Sequence, residues 1–72
     1  MTENNKEVHL TQRELKVLAL VIEGKSSRDI AGILEASPRT IHYHLANIYD
    51  KLQVSNRVQA YRRAVRLGLI VE

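Results

Sequence analysis

The stretch of sequence that decides the fold is SSRDIAGILEASPRTIHYHLANIYDKL, residues 26–52. It contains two segments that each follow a serine suited to begin a helix. Ser26 and Asp29 have the spacing of a capping box, in which the hydroxyl and the carboxylate satisfy two free backbone N–H groups. Ser37 precedes Pro38, and proline fits the first turn of a helix because its missing N–H would be unpaired there anyway. Two consecutive helices are therefore predicted, separated by a turn of about three residues.

The second of these helices has one narrow apolar side. At about 100° per residue, Leu45, Ile48 and Leu52 lie within about 40° of Ile41 and form a predicted core stripe. The side chains that point away from the stripe belong to Arg39, His42, Tyr43, Ala46, Asn47 and Asp50. A short helix, a tight turn and a longer helix of this kind form the helix-turn-helix arrangement, which places the second helix in the major groove of DNA. A plain helical hairpin is the alternative interpretation.

Another helix is predicted on the N-terminal side of this pair. Thr11 and Glu14 form a further capping box and begin a helix over about residues 12–23, which Gly24 ends as a left-handed cap. This helix is apolar over most of its circumference, so we expect it to be central or covered by a partner.

A fourth helix begins at the Asn56 and Gln59 capping pattern and ends at Gly68. Its apolar arc of about 180° is wider than one small core requires. The arc contains Val58, Ala60, Tyr61, Ala64, Val65 and Leu67, and the remaining side carries Arg62, Arg63 and Arg66. These arginines fit either a solvated face or a DNA-binding stripe.

The fold class that follows is all-α, a four-helix bundle-like domain that contains a helix-turn-helix. The sequence has no alternating apolar and polar stretch long enough for a strand. Residues 1–8 are polar and are expected to form a disordered tail. Residues 9–72 are expected to form the domain.

Length, composition and charge narrow the function. A chain of 72 residues has little room for a catalytic cleft and lacks a Gly-rich phosphate loop, a nucleophile elbow and a metal cluster, so no enzyme, cofactor, metal or small-molecule site is expected. Residues 36–72 hold six Lys and Arg against two Asp and Glu, whereas residues 1–35 hold five against six. The basic half favours a polyanionic partner. The absence of cysteine, of a signal peptide and of an apolar run of roughly 20 residues favours a cytoplasmic protein without a membrane span.

From Leu10 to Leu67 the chain resembles the LuxR/GerE-type helix-turn-helix domain of bacterial transcription regulators. The resemblance rests on Leu10-Thr11-x-Arg13-Glu14-x-x-Val17-Leu18, Gly24, Ser26, Ile30-Ala31, Leu34, Ser37-Pro38-x-Thr40-Ile41-x-x-His44, Ile48, Lys51-Leu52-x-Val54, Arg57 and Ala60. Because the domain fills the chain from Met1, we expect a stand-alone regulator of the GerE kind. An excised C-terminal domain of a larger regulator is the alternative.

The resemblance implies a set of contacts to double-stranded DNA. The family reads bases at the positions occupied here by His42, Tyr43 and Ala46, and Asn47 shares their outer face. Several members have lysine or arginine where His42 stands. Phosphate contacts, through helix termini or charge, are predicted for Ser26, Ser27, Arg39, Thr40 and Lys51. Glu35 and Gln53 occupy turn positions where the family often has glycine, which predicts backbone strain or shifted turns.

A homodimer through the fourth helix is also expected. Its apolar arc is wide, the core of so short a chain gains from a partner, and the resemblance implies a family that commonly pairs through this helix. A two-fold pair would place its recognition helices in successive major grooves about 34 Å apart, so the preferred site would be an inverted repeat. The interface residues are predicted to be Val58, Tyr61, Ala64 and Val65. Tyr61, Ala64 and Val65 could each face the core or a partner, and Val65 is preferred for the interface because it lies nearer the edge of the arc.

Other interpretations stay open at this point. A protein-interaction module could dimerise with another regulator and block it without binding DNA. A membrane-surface helix is less favoured, because its only candidate, residues 58–67, lacks tryptophan and phenylalanine anchors. Arg57 could pair with Glu14 or Asp29, or contact phosphate. We expect His44 to be packed rather than to read bases.

Overall fold

The computed structural model describes residues 8–70, and this range contains four helices and no strand. The helices are α1 (Gln12–Ile22), α2 (Ser27–Leu34), α3 (Pro38–Leu52) and α4 (Arg57–Arg66). The predicted all-α fold is therefore confirmed. Most of the predicted tail, residues 1–7, and the chain end, residues 71–72, lie outside the described residues. Val8, which the sequence analysis assigned to the tail, is half-buried and packs against the core.

The helices begin at the predicted caps, with one difference in detail. The boxes begun by Thr11 and Ser26 are complete, because each cap and its acidic partner bond each other's backbone N–H. In α4 the Asn56 side chain accepts from the Gln59 N–H at 2.9 Å, but the Gln59 Oε1 accepts from the Ser55 N–H at 2.8 Å. In a capping box the Gln59 side chain would accept from the N–H of the cap, Asn56, whereas here it accepts from the residue before the cap.

All four helices end in the same way. A residue with positive φ follows each helix, at Gly24, Glu35, Gln53 and Gly68. The next N–H then donates across the turn to a carbonyl five residues back, with N···O distances between 2.8 and 3.1 Å. This is the Schellman arrangement, which satisfies carbonyls that the helix end would leave unpaired. The turns at Glu35 and Gln53 are therefore not shifted, and both residues adopt the left-handed conformation that glycine favours.

α1 and α3 form the centre of the domain. Each contacts every other helix, whereas α2 and α4 share no contact within the described chain. On α3 the predicted stripe is confirmed, because Ile41, Ile48 and Leu52 are fully buried and Leu45 is half-buried. The buried core consists of Leu10, Val17, Leu18, Val21, Ile30, Ala31, Ile41, Ile48, Leu52, Ala60 and Ala64. None of the four helices is long and apolar enough to cross a membrane.

Candidate nucleic-acid interface

The exposed side of α3 begins directly after the turn from α2. Burial of the opposite stripe leaves Tyr43 with 65% of its surface exposed, and His42 and Ala46 are exposed beside it. The Tyr43 ring is tilted by 58° against the His44 ring, with 5.9 Å between ring centroids. Three of the four predicted base-reading residues therefore share one accessible surface, which begins in the N-terminal half of the helix. The fourth, Asn47, is half-buried and less accessible than the angular pattern predicted.

His44 lies between this surface and the core. It is half-buried, in agreement with the packed position expected for it.

Within residues 8–70, no group of three His, Asp or Glu side chains could hold a metal ion.

Four of the five predicted phosphate contacts lie at the N-termini of α2 and α3. The Ser26 hydroxyl accepts from the Asp29 N–H at 3.1 Å, and this bond leaves its own O–H able to donate to a phosphate. The Thr40 hydroxyl lies 3.1 Å from the Ser37 hydroxyl, which caps α3. Arg39 is exposed next to them, whereas Ser27 is half-buried. These helix ends therefore present to a phosphate hydroxyl and backbone N–H donors, the positive ends of the helix dipoles and the exposed charges of Arg28 and Arg39.

Lys51 lies at the opposite end of α3 and is already paired. Its Nζ donates to Glu14 Oε1 on α1 at 2.8 Å, and its side chain is 38% exposed against 6% for Glu14. Glu14 also accepts from the Thr11 backbone N–H at 2.9 Å. Arg57 forms no ion pair with Glu14 or with Asp29 in the part of the chain that the structure describes, so both predicted pairs are wrong and the phosphate contact stays a prediction.

The arginines of α4 divide into two kinds. Arg63 is half-buried, and its Nη1 donates to the Leu52 carbonyl oxygen at 2.8 Å. Arg62 and Arg66 are exposed. Arg63 therefore closes the C-terminus of α3 instead of joining a solvated face or a DNA-binding stripe. Sequence reasoning missed this contact, because no local pattern relates residue 63 to the end of another helix.

The outer surface of α4 keeps part of the predicted interface. Val58 is 56% exposed, and Tyr61 and Val65 are half-buried. Val58 and Tyr61 line a depression of about 440 Å³ together with Ile22 and Arg57. The structure corrects the prediction for Ala64, whose side chain is fully buried in the core and has no surface to offer a partner. The angular pattern could not separate these positions, because it does not say how deeply α4 sits against α1 and α3.

Comparison with known proteins places this arrangement in a family. The family model GerE, described as "Bacterial regulatory proteins, luxR family", matches residues 8–64. The chain belongs to this family. Its LuxR-family fold is shared with a solved structure titled "Structure of Transcription factor, GerE", with a TM-score of 0.76 and 39% identity over 82% of this chain and 88% of that one.

Curated LuxR-family proteins are also similar in sequence. The transcriptional activator protein AnoR of Acinetobacter nosocomialis is 44% identical over 63 residues, which is 88% of this chain and 26% of AnoR. The transcriptional activator protein LuxR of Aliivibrio fischeri is 47% identical over 68 residues, which is 93% of this chain and 27% of LuxR. The chain thus spans about a quarter of the length of these two relatives. Both are named for transcriptional activation, not for catalysis.

Proposed function

We propose that this domain binds double-stranded DNA sequence-specifically and regulates transcription, with α3 in the major groove. The observation that carries the proposal is the exposed surface formed by His42, Tyr43 and Ala46 on a helix whose opposite side packs into the core. A helix anchored on one side and accessible on the other can enter the groove without losing its packing. The naming of AnoR and LuxR as transcriptional activators supports the regulatory role.

Backbone contacts in this proposal come from the N-termini of α2 and α3. At the start of α2 the Ser27 and Arg28 N–H groups have no intrahelical acceptor. At the start of α3 Pro38 has no N–H and Ser37 caps the Thr40 N–H, so the backbone N–H offered to a phosphate is that of Arg39, whose guanidinium is also exposed. Phosphate oxygens accept hydrogen bonds at such helix ends. Ser26, Ser27, Arg39 and Thr40 therefore set the position of the domain on DNA, while the α3 surface reads the bases. Because the duplex DNA of a bacterium lies in the cytoplasm, the protein acts there.

The proposed functional unit is a homodimer that binds an inverted repeat. Val58, Tyr61 and Val65 supply the apolar surface, and the depression that Ile22 shares with α4 extends it. α4 contacts α1 and α3 but not α2. A two-fold contact there leaves the N-termini of α2 and α3 accessible in both copies, as successive major grooves require.

Duplex binding as a function of salt tests the DNA-binding proposal. The logarithm of the affinity should fall linearly with the logarithm of salt concentration, by about 0.9 per phosphate neutralised. Arg39→Ala should weaken binding to every sequence and reduce the slope by about 0.9, since one exposed charge at the interface is lost. Lys16→Ala is the matched control, because Lys16 is exposed on α1 and takes no part in the proposed interface.

The outcome at low salt decides between this function and a DNA-independent one. Absence of duplex binding at low salt would end the proposal. The apolar depression at Ile22 and Tyr61 would then favour the alternative, a protein-interaction module that pairs with another regulator.

A further inference from the structure

The C-terminal turn of α3 is tied to both neighbouring helices. The Lys51 ammonium donates to Glu14 on α1 at 2.8 Å, and the Arg63 guanidinium on α4 donates to the Leu52 carbonyl at 2.8 Å. Because residues 51 and 52 are adjacent, the two bonds hold the same turn from two sides. We call Glu14, Lys51, Leu52 and Arg63 the α3 clamp.

The α1 end of the clamp is fixed. Glu14 is only 5% exposed, and its Oε1 accepts from the Thr11 N–H at 2.9 Å as well as from Lys51. The Glu14 N–H in turn donates to the Thr11 hydroxyl at 3.0 Å. The carboxylate therefore cannot follow a moving lysine without breaking the capping box of α1. Loss of Lys51 would leave a buried charge with less compensation, which is costly.

The α4 end of the clamp satisfies a backbone group. Carbonyls in the last turn of a helix lack intrahelical partners, and a cation near that end also interacts favourably with the helix dipole. Arg63 supplies α3 with a hydrogen-bond donor for the Leu52 carbonyl and with a positive charge near the helix end. This contact explains why Arg63 is half-buried while Arg62 and Arg66 are exposed. The Arg63 guanidinium is therefore hydrogen-bonded within the domain.

We propose that Lys51 and Arg63 are positioning residues, which set the direction of α3 relative to α1 and α4 and do not neutralise phosphates. This inference rests on the proposed DNA binding. Tyr43 lies about 12 Å along the helix axis from Lys51, so a tilt of about 10° at the clamp would move it by about 2 Å. Base readout tolerates much less than that. The clamp thus governs sequence preference, although it lies at the far end of the helix from the bases.

Charge-removing variants separate positioning from phosphate contact. Lys51→Met and Arg63→Met should each lower the ratio of affinities for a selected and a random duplex by about tenfold, because α3 is less firmly directed. The salt slope should stay unchanged. Arg39→Met is the matched control on the same helix: it should weaken both duplexes alike and reduce the slope by about 0.9. Circular dichroism checks that each variant is folded.

The Glu14→Gln variant distinguishes a positioning role of Lys51 from a phosphate contact, because the two roles predict different changes in DNA binding. If Lys51 positions α3, weakening its partner should lower the sequence preference. If Lys51 contacts phosphate, releasing it from Glu14 should leave the preference intact and tighten both duplexes. A Lys51→Met slope reduced by about 0.9 with an unchanged preference would overturn the inference. Should Lys51→Met fail to fold, the Glu14→Gln result still decides.

A measurement without DNA keeps this inference separate from the proposed function. Residual dipolar couplings of backbone amides report the orientation of α3 relative to α1 and α4. We expect that orientation to change in Lys51→Met and in Arg63→Met and to be restored in Arg63→Lys. An unchanged orientation would overturn the inference whatever the DNA result, whereas a wild-type protein that binds no duplex would overturn the proposed function.

Discussion

At the scale of single residues, Glu14 serves two interactions with one carboxylate. Burial raises the pKa of this group, but the hydrogen bond from Lys51, the Thr11 backbone N–H and the lysine charge outweigh burial and leave the pKa lowered. A lowered pKa means that the folded protein holds the proton more weakly than the unfolded chain does. Glu14 therefore stabilises the fold at neutral pH, where it is ionised.

Part of the loss of unfolding free energy at acid pH should come from protonation of Glu14. Its contribution is fully present above the ordinary pKa of a glutamate and is lost as the pH falls through the lowered pKa of the folded state. Urea unfolding between pH 7 and pH 3 should show a smaller loss of unfolding free energy for Glu14→Gln than for wild type. At pH 7 the variant should be less stable by about 1 kcal/mol, since its bonds to Lys51 and Thr11 lose the charge on the acceptor. Parallel pH curves for the two proteins would assign the acid sensitivity to other groups.

Tyr43 belongs to the same scale, because its role depends on one exposed ring. Tyr43→Ala should lose roughly 1 to 3 kcal/mol of preference for the best sequence, with affinity for random duplex nearly intact. Tyr43→Phe is the matched control, since it keeps the ring beside His44 and removes only the hydroxyl. Equal losses on specific and random duplexes would show that the tyrosine acts through packing.

At the scale of elements, two helices are followed by non-glycine residues in the strained left-handed conformation. Glu35 has φ 57° and Gln53 has φ 59°, whereas α1 and α4 have glycine at the same place in their C-terminal turns. A side chain in this region costs roughly 1 to 2 kcal/mol because Cβ approaches the backbone. Gln53 recovers part of that cost, since its Nε2 donates to the Asp50 carbonyl oxygen at 2.9 Å.

Glycine substitutions should therefore differ at these two turns. Glu35→Gly should raise the free energy of unfolding by about 0.5 to 1 kcal/mol, because the relief of strain exceeds the entropy that glycine adds to the unfolded chain. Gln53→Gly should gain less, since it also loses the bond to Asp50.

Denaturant unfolding of four variants would check this difference, with Glu35→Ala and Gln53→Ala as the non-glycine controls. We expect Gln53→Ala to be destabilised, because it keeps the positive φ and loses the hydrogen bond. Equal gains for the two glycine variants would mean that the Gln53 side chain contributes nothing to its turn.

At the scale of the whole molecule, the order in which the helices pack separates two surfaces. α1 and α3 form the centre, so α2 and α4 lie apart within the described chain. The proposed DNA surface lies at the N-termini of α2 and α3, and the proposed dimer surface lies on α4. One small core thus supports two contacts that need not compete.

Val58 provides the test of the dimer. Val58→Glu should favour monomers in sedimentation experiments, because a carboxylate buried in an apolar interface is costly. Ile33→Glu is the matched control, since Ile33 is a β-branched side chain on α2 that is 52% exposed, close to the 56% of Val58. A folded Val58→Glu variant that still sediments as a dimer would move the interface away from α4. A wild-type protein that is monomeric at all concentrations would overturn the proposed dimer.

The local architecture was predictable because its signals act within a few residues. Ser26 with Asp29, Ser37 with Pro38, and the stripe of Ile41, Ile48 and Leu52 each depend on spacing along one helix. A cap reaches three residues ahead, and a helical stripe repeats with the turn. Sequence alone therefore determined the four helices, their starts and the exposure of Tyr43.

The contacts that join the helices were decided only by tertiary structure. Lys51 and Glu14 are 37 positions apart, and Arg63 is 11 positions from Leu52, so no periodic pattern relates them. Ala64 was misplaced for the same reason, since an apolar arc of about 180° does not say which part of it meets the core. How deeply one helix sits against another depends on the summed shapes of all the side chains between them. That packing put Ala64 inside, left Val58 outside and tied the end of the recognition helix to its neighbours.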